Sequence, residues 1–166
     1  MRPIAEWTAP TAGQFLGEIL PLARPAVLRG AVADWPLVIA GRDSIDRVIA
    51  VLAARASAAP VDVLLNHPGN EGRFHYTPDG RALNFVRRRG HLPTFLAVLR
   101  EQASVARPPA MAVQGLLAER QMPGFAESHP MPLVPAGTEA RLWIGNAAKV
   151  ATHNDPTDNV AAVVAG

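Results

Sequence analysis

The stretch ARLWIGNAAKVATHNDPTDNVAAVVAG, residues 140–166, decides the fold. Three runs within it have strand character: residues 140–144, 149–153 and 159–165. Turn-forming residues separate them, among them Asn154, Asp155, Pro156 and Asp158. Leu142 and Ile144 surround Trp143 within the first of these runs. Trp143 reads here as apolar bulk for that sheet rather than as a platform for a ligand.

Upstream the pattern is mostly helical. Thr11 followed by Gln14 has the form of a capping box, and Phe15, Leu16, Ile19 and Leu20 then make one apolar face that Pro21 ends. Residues 25–30 read as a short strand closing in a turn. A second helix starts near Asp43 or Ser44, with Ile45, Val48, Ile49 and Leu52 at helical spacing. Val61 to Leu65 is a buried strand by composition. Arg73 to Tyr76 and Ala82 to Val86, around Pro78-Asp79-Gly80, form a hairpin pattern. The clearest helix runs from Pro93 to about Ser104, with Leu92, Phe95, Leu96 and Leu99 on one stripe and Pro93 in the first turn, where its missing N–H is not needed. Helices first and closely spaced strands last predict an α+β domain.

Composition narrows the function classes. The chain has 166 residues, 49% of them hydrophobic and 18% charged, and reads as one globular domain. It has no cysteine, which excludes disulfides, thiolate metal sites and thiol nucleophiles. The N-terminus lacks the apolar core of a signal peptide, and the run from Val160 to Ala165 is too short to span a bilayer, so a cytoplasmic protein with no membrane partner is expected. Net charge is only +2, and Lys149 is the sole lysine among the basic residues. Arg87-Arg88-Arg89 is the one basic cluster and reads as a solvated edge, so nucleic acid is not an expected partner.

The chemistry concentrates in His153-Asn154-Asp155. On an extended chain His153 and Asp155 point together while Asn154 points away, placing an imidazole nitrogen and a carboxylate oxygen side by side. These are two thirds of the facial triad of non-haem iron(II) oxygenases, which leaves three iron positions open for a co-substrate and dioxygen. Spacing alone is weak evidence. With 5 histidines and 14 acidic residues in the chain, about 0.4 such pairs arise by chance, and a surface turn is the bland alternative. His67, His75, His91 and His129 have no metal-ligand spacing and read as loop or hydrogen-bonded structural residues. Trp35, before Pro36, reads as core.

Several ordered motifs together are more specific. Leu142-Trp143-Ile144-Gly145-Asn146, His153-x-Asp155, Asn159 and the closing Val163-Val164-Ala165-Gly166 resemble the catalytic signature of the cupin-like branch of the JmjC superfamily. Arg24 to Gly30 and Ala33-Asp34-Trp35-Pro36 are similar to the N-terminal segment of that family. Gly72 to Tyr76 and Asn84-Phe85 resemble its bacterial members. The resemblance implies a double-stranded β-helix of the cupin or JmjC type, with Fe(II) as metal and 2-oxoglutarate as co-substrate. His153 and Asp155 match the first two iron ligands, and Asn159 matches a polar residue near the co-substrate. Relatives carry a Thr three residues before the iron His that helps hold the 2-oxoglutarate carboxylate; Val150 stands there instead. Thr152 is the candidate replacement, although as the neighbour of His153 it should point to the opposite face. The family's basic co-substrate anchor and second iron His fall beyond Gly166.

The expectation is therefore one cupin-like domain over residues 1–166, with a helix-rich part at 1–135 and the first barrel strands with the His-x-Asp motif at 136–166. The barrel is expected to be incomplete, and this chain by itself inactive. The leading function is an Fe(II)- and 2-oxoglutarate-dependent hydroxylase acting on a protein side chain or a small molecule, with a homodimer admissible. The competing one is a non-catalytic cupin-like binding module, which Val150 favours. The substrate is not legible from fold and metal site.

Overall fold

The computed structural model describes residues 3–150, 153 and 155–166. Its centre is a four-stranded antiparallel sheet. The strands are β3 (Pro60–Asn66), β5 (Val86–His91), β6 (Ala110–Leu117) and β7 (Arg141–Gly145), in the order β5-β3-β6-β7. Two small ribbons flank it. In one, β1 (Ala5–Thr8) runs parallel to β2 (Ala26–Arg29), where Arg29 and Glu6 form a two-pronged ion pair at 3.0 Å. In the other, β4 (Arg73–Phe74) runs parallel to β8 (Lys149–Val150).

The helices form where the apolar spacing and caps require them. A short α1 (Ala12–Gln14) opens on the Thr11 capping box, with Thr11 Oγ1 accepting from the Gln14 amide at 3.2 Å and Gln14 Oε1 accepting from the Thr11 amide at 3.0 Å. The chain then widens into a π-turn over Phe15–Ile19 and tightens into a 3-10 turn over Leu20–Leu22. That change of angular step breaks the expected single apolar stripe: Ile19 is buried, whereas Leu16 and Leu20 are exposed. Pro21 lies inside the tight turn, and the stop falls at Ala23, which is left-handed with φ 48°.

Next come α2 (Pro36–Asp43), with Pro36 in its first turn, and α3 (Ile45–Arg55), capped by Ser44 Oγ on the Arg47 amide at 3.1 Å. After β5 follows α4 (Leu92–Gln102), then the single-turn α5 (Ala118–Gln121) and α6 (Phe125–Ser128). Strand alternation sends Val61, Val63, Met111 and Val113 to one sheet face. There they meet Leu37 and Ala40 of α2, Val48 and Leu52 of α3, and Leu92, Phe95 and Leu96 of α4. Met122 and Phe125 close the same core from the side of α5 and α6.

The opposite face is covered at one end only. Leu64, Ala110 and Ala112 point there and pack under Phe74 and Phe85, whose rings meet edge to face at 5.3 Å. The expected hairpin is present in reduced form, with a single bridge between Tyr76 and Leu83. Asn66 and Asn84 both donate side-chain amides to the Arg73 carbonyl, at 2.6 and 2.8 Å, and so pin β4 over the sheet end.

Residues 140–144 form β7 largely as expected. Its two faces differ: Leu142 and Ile144 join the helix-side core, but Trp143 lies on the other face and is 65% exposed. Trp143 is therefore not core, because Phe74 and Phe85 cover the far end of that face. A further correction concerns residues 159–166, which form no strand. Val164 and Ala165 pack instead against the helix-side core, and the backbone passes directly over Gly41 of α2. The architecture is a mixed α+β domain with an antiparallel sheet.

Candidate functional site

The approach to His153 is built from the end of β7. Gly145 pairs with Ala112, and one residue later the chain leaves β6. Four residues on, the Lys149 amide donates to the Gly72 carbonyl at 2.8 Å, and β8 settles beside β4 with Lys149 opposite Arg73 and Val150 opposite Phe74. His153 follows three residues after Val150.

His153 and Asp155 lie outside any strand, yet their side chains converge, with His153 Nε2 and Asp155 Oδ1 3.6 Å apart. They remain 62% and 48% exposed. The second carboxylate oxygen, Asp155 Oδ2, accepts a hydrogen bond from Asn159 Nδ2 at 2.8 Å. Asn159 therefore turns the carboxylate so that Oδ1 faces the imidazole. Two donors bound cis to one octahedral ion, with bonds of about 2.1 Å, stand about 3.0 Å apart, and trans donors stand about 4.2 Å apart. The observed gap of 3.6 Å lies midway between the two, so a side-chain rotation is needed to bring the pair to cis spacing. Donor type and spacing thus suit a divalent metal. Among the described residues, no group of three or more His, Asp or Glu side chains gathers as a metal site.

The other candidates fall elsewhere. Thr152 lies outside the described residues. Val150 is exposed and offers no hydroxyl. His67 Nδ1 accepts from the Gly69 amide at 3.0 Å and caps a local turn. The backbone of His75 is tied to Asn84. His129 is buried among aromatic rings, stacked on Phe125 at 4.2 Å and edge-on to Trp35 at 5.4 Å. Its Nδ1–H donates to the Phe125 carbonyl at 3.2 Å, and Nε2 has no partner among the described residues. Burial pushes its pKa down, and the nearby Arg55 charge adds to that.

Two clefts open at the same end of the sheet. One, of about 270 Å³, lies between Pro68, Gly72, Arg107, Ala110 and Asn146; the other, of about 550 Å³, lies between Leu65, His67, Leu83, Phe85 and Pro109. Neither is lined by His153 or Asp155.

A family model described as a cupin-like domain matches residues 12–166. The chain belongs to the cupin-like family. No curated protein matches it. The match takes in both the helix-rich part and the His-x-Asp segment, so the cupin-like domain contains the site just described as well as the helices that support its sheet. Among the described residues, no helix is long and apolar enough to cross a membrane. Sequence reasoning named Asn146 and Gly72 only as members of motifs and gave them no role; the structure shows them holding the segment that follows β7.

Proposed function

We propose that this cupin-like protein is an Fe(II)- and 2-oxoglutarate-dependent oxygenase that hydroxylates a protein side chain or a small molecule in the cytoplasm. His153 and Asp155 are two of its metal ligands. The observation that carries this reading is the convergence of one imidazole and one carboxylate at 3.6 Å, within a domain of this family. His153 offers a neutral nitrogen lone pair and Asp155 an anionic oxygen, while Asn159 holds the other carboxylate oxygen. Iron(II) bound there would supply the activation of dioxygen, with 2-oxoglutarate giving succinate and carbon dioxide as one oxygen atom passes to the substrate. The third protein ligand and the anchor for the co-substrate come from outside this pair. On this reading residues 1–166 belong to one domain, with residues 136–166 contributing to the catalytic barrel.

The test is succinate formation by the natural protein with Fe(II) and 2-oxoglutarate. Asp155→Ala and His153→Ala should each abolish it, and the double variant should be little worse than either, because metal ligands act as a unit. Both side chains are well exposed, so folding stability should change by no more than about 0.5 kcal/mol. Equal turnover in wild type and variants overturns the assignment. A second reading, a non-catalytic binding module, is favoured by Val150, where relatives carry the hydroxyl that contacts the co-substrate. It predicts metal binding with no 2-oxoglutarate consumption.

A further inference from the structure

Strand β5 closes the sheet on the side away from β7, and among the described residues only β3 pairs with it. Asn146 shows which of its main-chain groups are left over. The Met111 N–H donates to Asn146 Oδ1 at 2.9 Å, and the Met111 carbonyl accepts from the Asn146 amide at 3.2 Å, so the polar groups of Met111 face β7. That direction alternates along a strand, so those of Ala110 and Ala112 face β3. Their partners Asn66 and Leu64 face back towards them, which leaves Val61, Val63 and Leu65 to bond β5 through Gly90, Arg88 and Val86. The N–H and C=O groups of Arg87 and Arg89 therefore point outward, unpaired by the sheet. Side chains at paired positions share a face. Arg87 stands opposite Leu64 and Arg89 opposite Asp62, so both leave on the face away from the helices; Arg88, opposite Val63, leaves on the helix side.

We propose that this edge is a docking site for an extended acidic segment of a partner protein, which joins the four-stranded sheet as a further strand with Asp or Glu at alternate positions. Asp62 shows the pairing that the charge calls for: from the neighbouring strand it meets Arg89 Nη1 at 2.9 Å. Arg87 faces Leu64 instead and has no acidic partner among the described residues. A carboxylate arriving on the outer side supplies what Leu64 does not. The segment is held by main-chain hydrogen bonds to Arg87 and Arg89, and its residues opposite these two share their face. Acids two positions apart meet both arginines in that register and Arg88 alone in the other, so the charge pattern also selects the register. All three arginines are exposed and within reach. Two other occupants fit less well. A second copy of this chain sets arginine against arginine. A nucleic acid has no alternating N–H and C=O groups to complete the ladder, and a net charge of +2 provides no broad positive field. The inference is independent of the iron reading, because it uses nothing from His153 or Asp155.

The experiment titrates the natural protein into a fluorescent peptide, Thr-Val-Glu-Val-Glu-Val-Thr with blocked ends, and reads anisotropy. The wild type should bind it. Arg87→Glu should weaken binding by about ten-fold, since an attractive cross-strand pair becomes a repulsive one. Arg88→Glu makes the same change of charge one residue along on the other face, and should weaken binding by no more than about two-fold. Both side chains are exposed, and circular dichroism checks that each variant is folded. Methylating a peptide main-chain nitrogen removes one ladder donor. Of two successive residues, methylation at the one facing β5 should abolish binding and at the other should leave it nearly unchanged. No binding by the wild type at about 1 mM peptide overturns the inference. So does equal weakening by Arg87→Glu and Arg88→Glu, or indifference to the site of methylation, either of which shows undirected attraction between charges. Tighter binding of a single-stranded oligothymidylate than of the peptide overturns it in favour of a nucleic-acid edge.

Discussion

The layer formed by α2, α3, α4 and the helix-side face of the sheet, and the segment from Asn146 onward, are held by different physics. In the layer, Leu92, Val113 and Met122 are fully buried, and each apolar side chain touches several elements at once. In the segment, Val163 is 80% exposed, β8 has two residues, and fixation comes from single hydrogen bonds and close backbone approaches. The first region is specified redundantly; the second depends on a few named atoms. The residues proposed as metal ligands sit in the second.

The contrast can be broken most strongly in the layer. Phe95→Ala removes a ring 3% exposed from the middle of the core and should cost about 3–5 kcal/mol, read from chemical denaturation. A loss below about 1 kcal/mol would mean that the layer is no better packed than the segment.

A smaller effect should come from His129 at the rim of that layer. Its native pKa lies below the free value of about 6.5, because burial among Trp35 and Phe125 disfavours the charged ring, with Arg55 acting in the same direction. The unfolded chain then binds the proton more readily than the native one. Stability contributed by neutral His129 is complete above about pH 6.5 and declines as pH falls through the window between the unfolded and the lower native value. Melting temperatures across that window should fall in the wild type and fall less in His129→Phe. Parallel curves would show that another group carries the acid sensitivity.

The smallest global effect should follow Gly41→Ala. Alanine is the better helix former in α2 by about 1 kcal/mol, but its Cβ meets the Val164 carbonyl. Global stability should therefore change little, while hydrogen exchange over residues 160–166 should speed up. Unaltered exchange there would show that the tail does not rest on α2.

Legibility in the sequence follows the same division. α3, α4, β3 and β7 were readable because burial on one side imposes a period, and Val48, Ile49, Leu52, Phe95 and Leu96 keep it. β6, an inner strand of the sheet, passed unread: Ala110 and Ala112 are small because Phe74 and Phe85 press on them, so that face left no strong apolar signal. The apolar run at 159–165 looked like a strand, yet its residues are accommodated by contact with a helix through Gly41, which a pattern of hydrophobicity does not reveal. The approach of His153 to Asp155 was anticipated from their spacing on a strand, although neither lies in one. The side-chain bonds of Asn146 to Met111 and Pro109 were not legible, because a side chain replacing a strand residue leaves no period at all.

The outer strands of the four-stranded sheet have unlike borders. Arg87, Arg88 and Arg89 line β5, and among the described residues only Arg89 has an acidic partner, Asp62 at 2.9 Å. A second copy approaching edge to edge would bring cation against cation, and charge on an edge strand is a known defence against edge-to-edge pairing. The β7 border, with a bare Trp143 and one arginine, carries no such barrier. The two flanks thus differ in charge, with three arginines on one and, on the flank from which the chain leaves for His153, a single arginine beside an exposed tryptophan.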